Sequence, residues 1–178
     1  MKRHLMAGIL ALSVLLAGAR DSRAASGNPP LPTVPYVDLQ RYMGSWYEIA
    51  RFEHTFQKGC IGSSATYSLL PDGDVEVINR CTDERDGSRR EAKGRAWVVD
   101  PASNARLKVS FFWPFRGDYW IIDLGSQYDY VAVGAPNRDY LWILARQPAL
   151  DAAVYGGILE RMARLGFDVN RLVQRPER

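Results

Sequence analysis

Eight short runs of strand character follow one another between Ser45 and Arg146, with no gap between them long enough for a helix. They are "SWYEIARF", "SSATYSL", "VEVINRC", "EAKGRAWVVD", "ARLKVSFF", "DYWIIDLG", "DYVAVGA" and "DYLWILAR", each bounded by Gly, Pro, Asn or Asp. A parallel crossover needs an intervening segment of about a dozen residues or more, so the spacing predicts antiparallel pairing throughout. Such a sheet leaves two unpaired edges unless it closes on itself. Two architectures remain: an eight-stranded barrel with room for side chains and one small ligand, or a two-sheet sandwich with a filled interior.

The turn in Leu70-Pro71-Asp72-Gly73-Asp74 sets one register. Proline suits the first corner of a type I turn, and Gly73 can take the left-handed conformation of a bulge. Leu69 then opposes Val75, Tyr67 opposes Val77 and Ala65 opposes Asn79, and directly opposed residues share a face. Tyr67, Leu69, Val75 and Val77 form an apolar face, while Glu76 and Arg80 point away. Parity also turns Leu107, Val109 and Phe111 inward, against Lys108 and Ser110. In the last strand Tyr140, Trp142 and Leu144 share one side. "DYWIIDLG" is ambiguous, because both parities carry aromatics. "Phe111-Phe112-Trp113-Pro114-Phe115" lies at a strand end where Pro114 blocks further pairing. These aromatics either rim an opening or cap the barrel under a loop.

Beyond the strands, Val154, Ile158, Met162 and Leu165 make one stripe of an amphipathic helix, stopped at Gly166 with Phe167 free to fold back. One stripe needs a sheet to cover, and Gly156-Gly157 would let the helix approach it closely.

Residues 1–24 read as a signal peptide: basic "MKRH", apolar "LMAGILALSVLLAGA", and small residues for cleavage after Ala24 or Ala19. The competing reading is an uncleaved anchor. Residues 25–36, "ASGNPPLPTVPY", should be an extended proline-rich tether, and residues 37–178 the folded domain. The first 24 residues hold four of the 23 basic and one of the 20 acidic residues, leaving 19 of each. A balanced remainder argues against a nucleic-acid partner.

In an exported chain, Cys60 and Cys81 are expected to form one disulfide, with two free thiols as the alternative. The register sets Cys81 beside Ser63, so a bond would require "GCIG" to leave the strand and curl back. A single histidine, His54, lies beyond residue 24. No Gly-x-Ser-x-Gly elbow accompanies it, and its plain reading is a solvated loop residue at the barrel mouth. No metal-ligand spacing, calcium loop or phosphate loop is present, so no catalytic group, metal or cofactor is expected.

"GSWYEIAR" in the first strand, "APNRDYLWILAR" at the last, and a helix after it resemble the lipocalin family, most of all its bacterial outer-membrane and apolipoprotein D branches. The resemblance runs from about Leu39 to the C-terminus and implies the barrel: an all-β, eight-stranded, antiparallel up-and-down calyx with one C-terminal α-helix packed outside. It implies that Trp46 floors the barrel, that Arg146 packs over it, and that Gly44 lets the chain enter beneath. It points to Trp142 as a pocket residue; Tyr140, on the same side of its strand, and Trp113, among the strand-end aromatics, are expected with it in the lining. The implied activity is non-enzymatic carriage of a fatty acid or lysophospholipid for envelope maintenance under stress, with room for outer-membrane association and a homodimer. Bacterial members are often lipoproteins with a cysteine after Leu-Ala-Gly. Here Ala19 stands there, so a non-lipidated periplasmic protein is expected. The alternatives are a haem, tetrapyrrole or other small-hydrophobe carrier, with His54 as the one conventional axial ligand, and a lipocalin-fold enzyme. The enzyme would need polar groups inside the barrel, which the inward faces read above lack.

Overall fold

The computed structural model describes residues 28–174; the expected signal peptide lies outside them. The strands are β1 (Gly44–Phe52), β2 (Cys60–Leu69), β3 (Val75–Asp83), β4 (Arg89–Val98), β5 (Arg106–Phe112), β6 (Phe115–Leu124), β7 (Tyr130–Gly134), β8 (Leu141–Ala145) and β9 (Leu172–Gln174). Helix α1 (Leu39–Tyr42) precedes them and α2 (Ala152–Arg164) lies between β8 and β9. Each of β2 to β7 pairs antiparallel with the next, β8 pairs with β1, and β1 pairs with β2, which closes an eight-stranded barrel. The short β9 adds to the upper part of β1, from Ala50 to Phe52.

The turn-derived register is the one observed: Leu69 opposes Val75, Tyr67 opposes Val77, and Ala65 opposes Asn79. The disulfide Cys60–Cys81 is present, with Cα atoms 5.5 Å apart. It forms without "GCIG" leaving the strand, because a register shift between Ile61 and Ser64, with Gly62 at φ 62°, brings Cys60 opposite Asp83. A bulge absorbs in one residue what was expected to need a curl.

Two apolar clusters divide the molecule. One fills the barrel around Trp46, Tyr67, Val77, Leu107, Val133 and Leu144. The other lies outside, where Ile158 and Met162 of α2 cover Ala50, Phe52, Ile122, Ala132 and Ile143. Asp151 caps α2, its Oδ1 accepting from the amides of Ala153 (2.8 Å) and Val154 (3.1 Å). Arg161 pins the helix to the barrel, donating to Asp123 (2.8 Å) and to the Tyr130 hydroxyl (3.0 Å). Phe167 folds back as expected and is buried, its amide bonded to the Met162 carbonyl. Val154 departs from the predicted stripe and lies exposed. Of the glycine pair, Gly156 faces open space, whereas a Cβ on Gly157 would lie 3.2 Å from Arg161 Nη1.

The expected tether is also not free. Residues 28–36 carry no helix or strand, but Leu31 is buried and the Val34 amide bonds to the Ile121 carbonyl. Arg138 donates to the Pro29 carbonyl, clamping the segment to the loop before β8. An extended, proline-rich backbone leaves Leu31 and Val34 free to pack wherever apolar surface remains uncovered.

Candidate functional site

The barrel has a closed and an open end. At the floor, Gly44 enters with φ 95°, a conformation that suits glycine, and a Cβ there would lie 3.3 Å from Arg146 Nη1. The Arg146 guanidinium sits 3.9 Å above the centre of the Trp46 ring. It donates to the carbonyls of Ser45 (3.0 Å), Arg41 (2.7 Å), Tyr42 (3.2 Å) and Tyr128 (3.3 Å). Trp46 Nε1 donates to the Tyr42 carbonyl at 2.9 Å, so α1 and the ends of β1 and β8 are joined at one indole. Above it the hydroxyls of Tyr42, Tyr119 and Tyr67 form a chain with contacts of 2.7 and 2.9 Å. Burial pushes all three phenols up, Tyr67 to about 12 and the other two well above the usual range. The cavity left among Tyr42, Tyr67, Val75, Leu107 and Tyr119 measures about 10 Å³, close to the space one water needs. The lower half of the barrel is filled.

The upper half is different. By register Trp46, Ala65, Asn79 and Ala92 share the inward face, and so do Gly94 and Gly117 on the neighbouring strands. Ala92 and Gly117 are exposed to solvent although they face inward, and a Cβ on Gly117 would meet nothing within 4 Å. A cleft of about 780 Å³ opens at the seam where the pairing of β4 with β5 stops at Arg95 and Ser110. Gly94 and Phe111 line its inner side, Trp97, Trp113 and Arg116 its outer side. Lys93, Arg95, Trp97, Ser110 and Arg116 face outward by register, so this is an open groove on the barrel wall and not part of the calyx.

Of the expected lining residues, Tyr67, Val75, Val77, Leu107 and Leu144 face the interior but are buried in the floor packing. Leu69, Val109, Phe111 and Trp142 also pack against that core and are half-buried. Trp113 must be corrected: it stands 78% exposed at the tip of the β5–β6 hairpin, with Phe112 and Phe115 beside it, and borders the side cleft instead of the calyx. Trp113 and Pro114 form the two-residue turn between the paired Phe112 and Phe115. Tyr140 is likewise on the rim, stacked on Trp142 with ring centres 5.8 Å apart.

The interior is not free of polar groups, contrary to expectation. The register of β1 against β8 shifts between Glu48 and Ala50. This bulge keeps Trp46 and Glu48 inside, turns Ala50 and Phe52 out toward α2, and brings Arg51 in beside Trp142. Glu48 and Arg51 are both buried and paired at 3.1 Å. The Gln57 side chain folds down from the β1–β2 loop, donating to Glu48 Oε2 (2.9 Å) and accepting from Trp142 Nε1 (3.0 Å). Arg51 Nη2 lies 3.4 Å from the Gln57 carbonyl, and its Nε is buried with no partner. Burial raises the Glu48 carboxyl pKa, against the opposing pull of Arg51 and Gln57. His54 is not a solvated loop residue: its ring packs among Phe56, Tyr140 and Trp142, with centroids 4.4 to 5.3 Å away. Burial and the nearby Arg51 and Arg171 lower its pKa, so it stays neutral at pH 7. Among the described residues no group of three or more His, Cys, Asp or Glu is placed to hold a metal ion.

A closed floor, a cation–π latch joining first and last strands, and a mouth with room above the packed core invite comparison with known proteins. The chain is 42% identical over 151 residues to the outer membrane lipoprotein Blc of Escherichia coli (strain K12), covering 84% of this chain and 85% of that protein. It is 31% identical to apolipoprotein D of Mus musculus, over 90% of this chain and 88% of that one. Among solved structures, insecticyanin from the tobacco hornworm Manduca sexta superposes with a TM-score of 0.68 at 17% identity, covering 84% of this chain and 86% of its own, a likeness of fold. The family profile described as a lipocalin-like domain matches residues 37–177, and the chain belongs to the lipocalin family.

Proposed function

We propose that the protein is a non-enzymatic carrier that holds a fatty acid or lysophospholipid in the upper half of its barrel, storing or moving it for envelope maintenance under stress. The observation that carries this reading is the division of the interior: the floor is packed to about 10 Å³, while above it Ala92 and Gly117 face inward and remain exposed to solvent. An acyl chain is suited to such space. About ten buried methylenes contribute roughly 8 kcal/mol of transfer free energy, enough to outweigh several kcal/mol of association cost.

An envelope location is supported by the outer membrane lipoprotein named among the relatives. With Ala19 in place of a lipid-bearing cysteine, attachment would be reversible and made by surface contact. Phe112, Trp113 and Phe115, all more than three-quarters exposed beside the mouth, are suited to that contact. Native mass spectrometry of protein extracted without delipidation tests the reading. A co-purified acyl species supports it, and a protein that takes up no fluorescent fatty acid refutes it. Titration of that probe against a folded Trp142→Ala variant tests the pocket assignment, with weaker binding expected.

A further inference from the structure

The carrier reading leaves one cluster unused. Inside the mouth, Glu48, Arg51, Gln57 and Trp142 form a connected polar group. Burying a guanidinium is costly unless its donors are used. Here Arg51 Nη1 is used by Glu48, Nη2 reaches a carbonyl only at 3.4 Å, and Nε has no acceptor. Trp142 Nε1 spends its one hydrogen bond on Gln57 Oε1. The acceptor that completes this arrangement belongs to the β1–β2 loop, not to the barrel wall.

We propose that the Gln57 carboxamide occupies the seat of a ligand's polar end, and that the seat takes an anionic head group, carboxylate or phosphate, of an amphiphile. When the loop withdraws Gln57, three N–H donors are freed toward one place: Trp142 Nε1, Arg51 Nη2 and Arg51 Nε. An anion with two or three oxygens satisfies them, where a neutral amide offers one acceptor. The loop is built to release. Its backbone is a single 3₁₀ turn over Thr55–Gln57, followed by Gly59 at φ 72°, and Phe56 at its crest is 58% exposed. Glu48 opposes the guest by charge and sets the preference: it shares Arg51 with the incoming anion, so the seat discriminates by competition as well as attraction. The head group then lies inside the barrel on the β1–β8 wall, and the tail runs along the inward faces of β4 and β5 past Gly94 and Phe111.

The inference rests on the carrier reading, and its test separates the two. A fluorescent fatty acid and the corresponding fatty alcohol are titrated into the intact protein and into Arg51→Gln, Glu48→Gln and Gln57→Ala. The wild type is expected to bind the acid on the order of tenfold more tightly than the alcohol, the size of one charge-assisted hydrogen bond. Arg51→Gln should remove that preference. Glu48→Gln and Gln57→Ala should strengthen it, each removing a competitor, an increase that general damage to the fold would not produce. Competition by a lysophospholipid against the acid in wild type and Arg51→Gln distinguishes a phosphate from a carboxylate as the better guest. Equal binding of acid and alcohol by wild type overturns the seat and leaves the carrier reading standing. Binding of neither probe overturns both. Should Arg51→Gln fail to fold, Gln57→Ala decides alone: weaker binding of the acid relative to the alcohol refutes the proposal.

Discussion

Removing the Arg146 side chain should loosen the floor of the barrel by an amount the geometry allows one to work out. In Arg146→Ala the carbonyls of Arg41 and Ser45 lose donors at 2.7 and 3.0 Å, and those of Tyr42 and Tyr128 lose longer ones. A hydrogen bond to a charged group is worth about 1.5–3 kcal/mol when buried, and this guanidinium is partly solvated, so the two short bonds are counted at about 1 kcal/mol each. The cation–π contact with Trp46, at 3.9 Å, adds about 0.5–1 kcal/mol. The sum is about 3 kcal/mol, or a fall in Tm of about 6–12 °C for a domain of this size. Urea unfolding at fixed pH and salt measures it, with an unchanged slope confirming two-state loss of the same structure. Arg146→Lys should recover about half, since an ammonium keeps the charge over the indole and loses the fork. A double-mutant cycle with Trp46→Phe isolates the ring contact, and a coupling energy near zero would show that Arg146 acts through its hydrogen bonds alone. Stability of Arg146→Ala within about 0.5 kcal/mol of the parent would refute the reasoning, because the strand ends would then be held by something other than this residue.

The tyrosine chain gives a pH prediction. The phenols of Tyr42, Tyr67 and Tyr119 are raised above their unfolded value, so the native state binds more protons above pH 10, and stability falls as pH rises from 10 through about 12. The limiting slope is about 1.4 kcal/mol per pH unit for each group, roughly 4 for three, and Tyr119→Phe should flatten alkaline unfolding followed by circular dichroism. Replacing Cys60 and Cys81 by Ser should cost about 3 kcal/mol in denaturant, from release of a loop with ends 21 residues apart, while an unchanged midpoint would show the bulged end of β2 to be held without the bond. In flotation with zwitterionic vesicles, Trp113→Ser with Phe115→Ser should reduce bound protein about tenfold or more, given about 1.5–3 kcal/mol per buried aromatic. Equal partition would mean that the exposed hairpin tip meets no bilayer.

Much of the barrel was legible because its signals are local. A proline, an aspartate and a glycine in five residues set the β2–β3 register, and alternation in "LKVSFF" assigned the inward face of β5. "LWIL" is apolar on both sides, and the inward side of β8 came from the family resemblance. The mouth was legible only in part. Strict alternation in β1 from Trp46 would place Ala50 and Phe52 inside and Arg51 outside. One extra residue at Ile49 reverses that, and nothing in "WYEIARF" marks it. The same bulge converts the apolar wall expected there into a buried ion pair. Trp113 was misplaced for a related reason: apolar character says that a side chain gains by leaving water, but not whether the chain around it offers anything to bury against.

What the order of residues determined by itself was the number of barrel strands, their antiparallel sense and the inward faces of β2, β3 and β5, because hairpin spacing, turn chemistry and period-two alternation act over a few neighbours. The residues that lock first strand to last came from the family resemblance. The tertiary structure decided which part of the hollow is filled. That depends on residues distant in the chain meeting at one height: three tyrosines from α1, β2 and β6 at the floor, and a glutamate, an arginine, a glutamine and a tryptophan from β1, a loop and β8 at the mouth. Whether such groups coincide is set by strand tilt, by single-residue bulges and by where a loop folds, quantities that no local pattern carries.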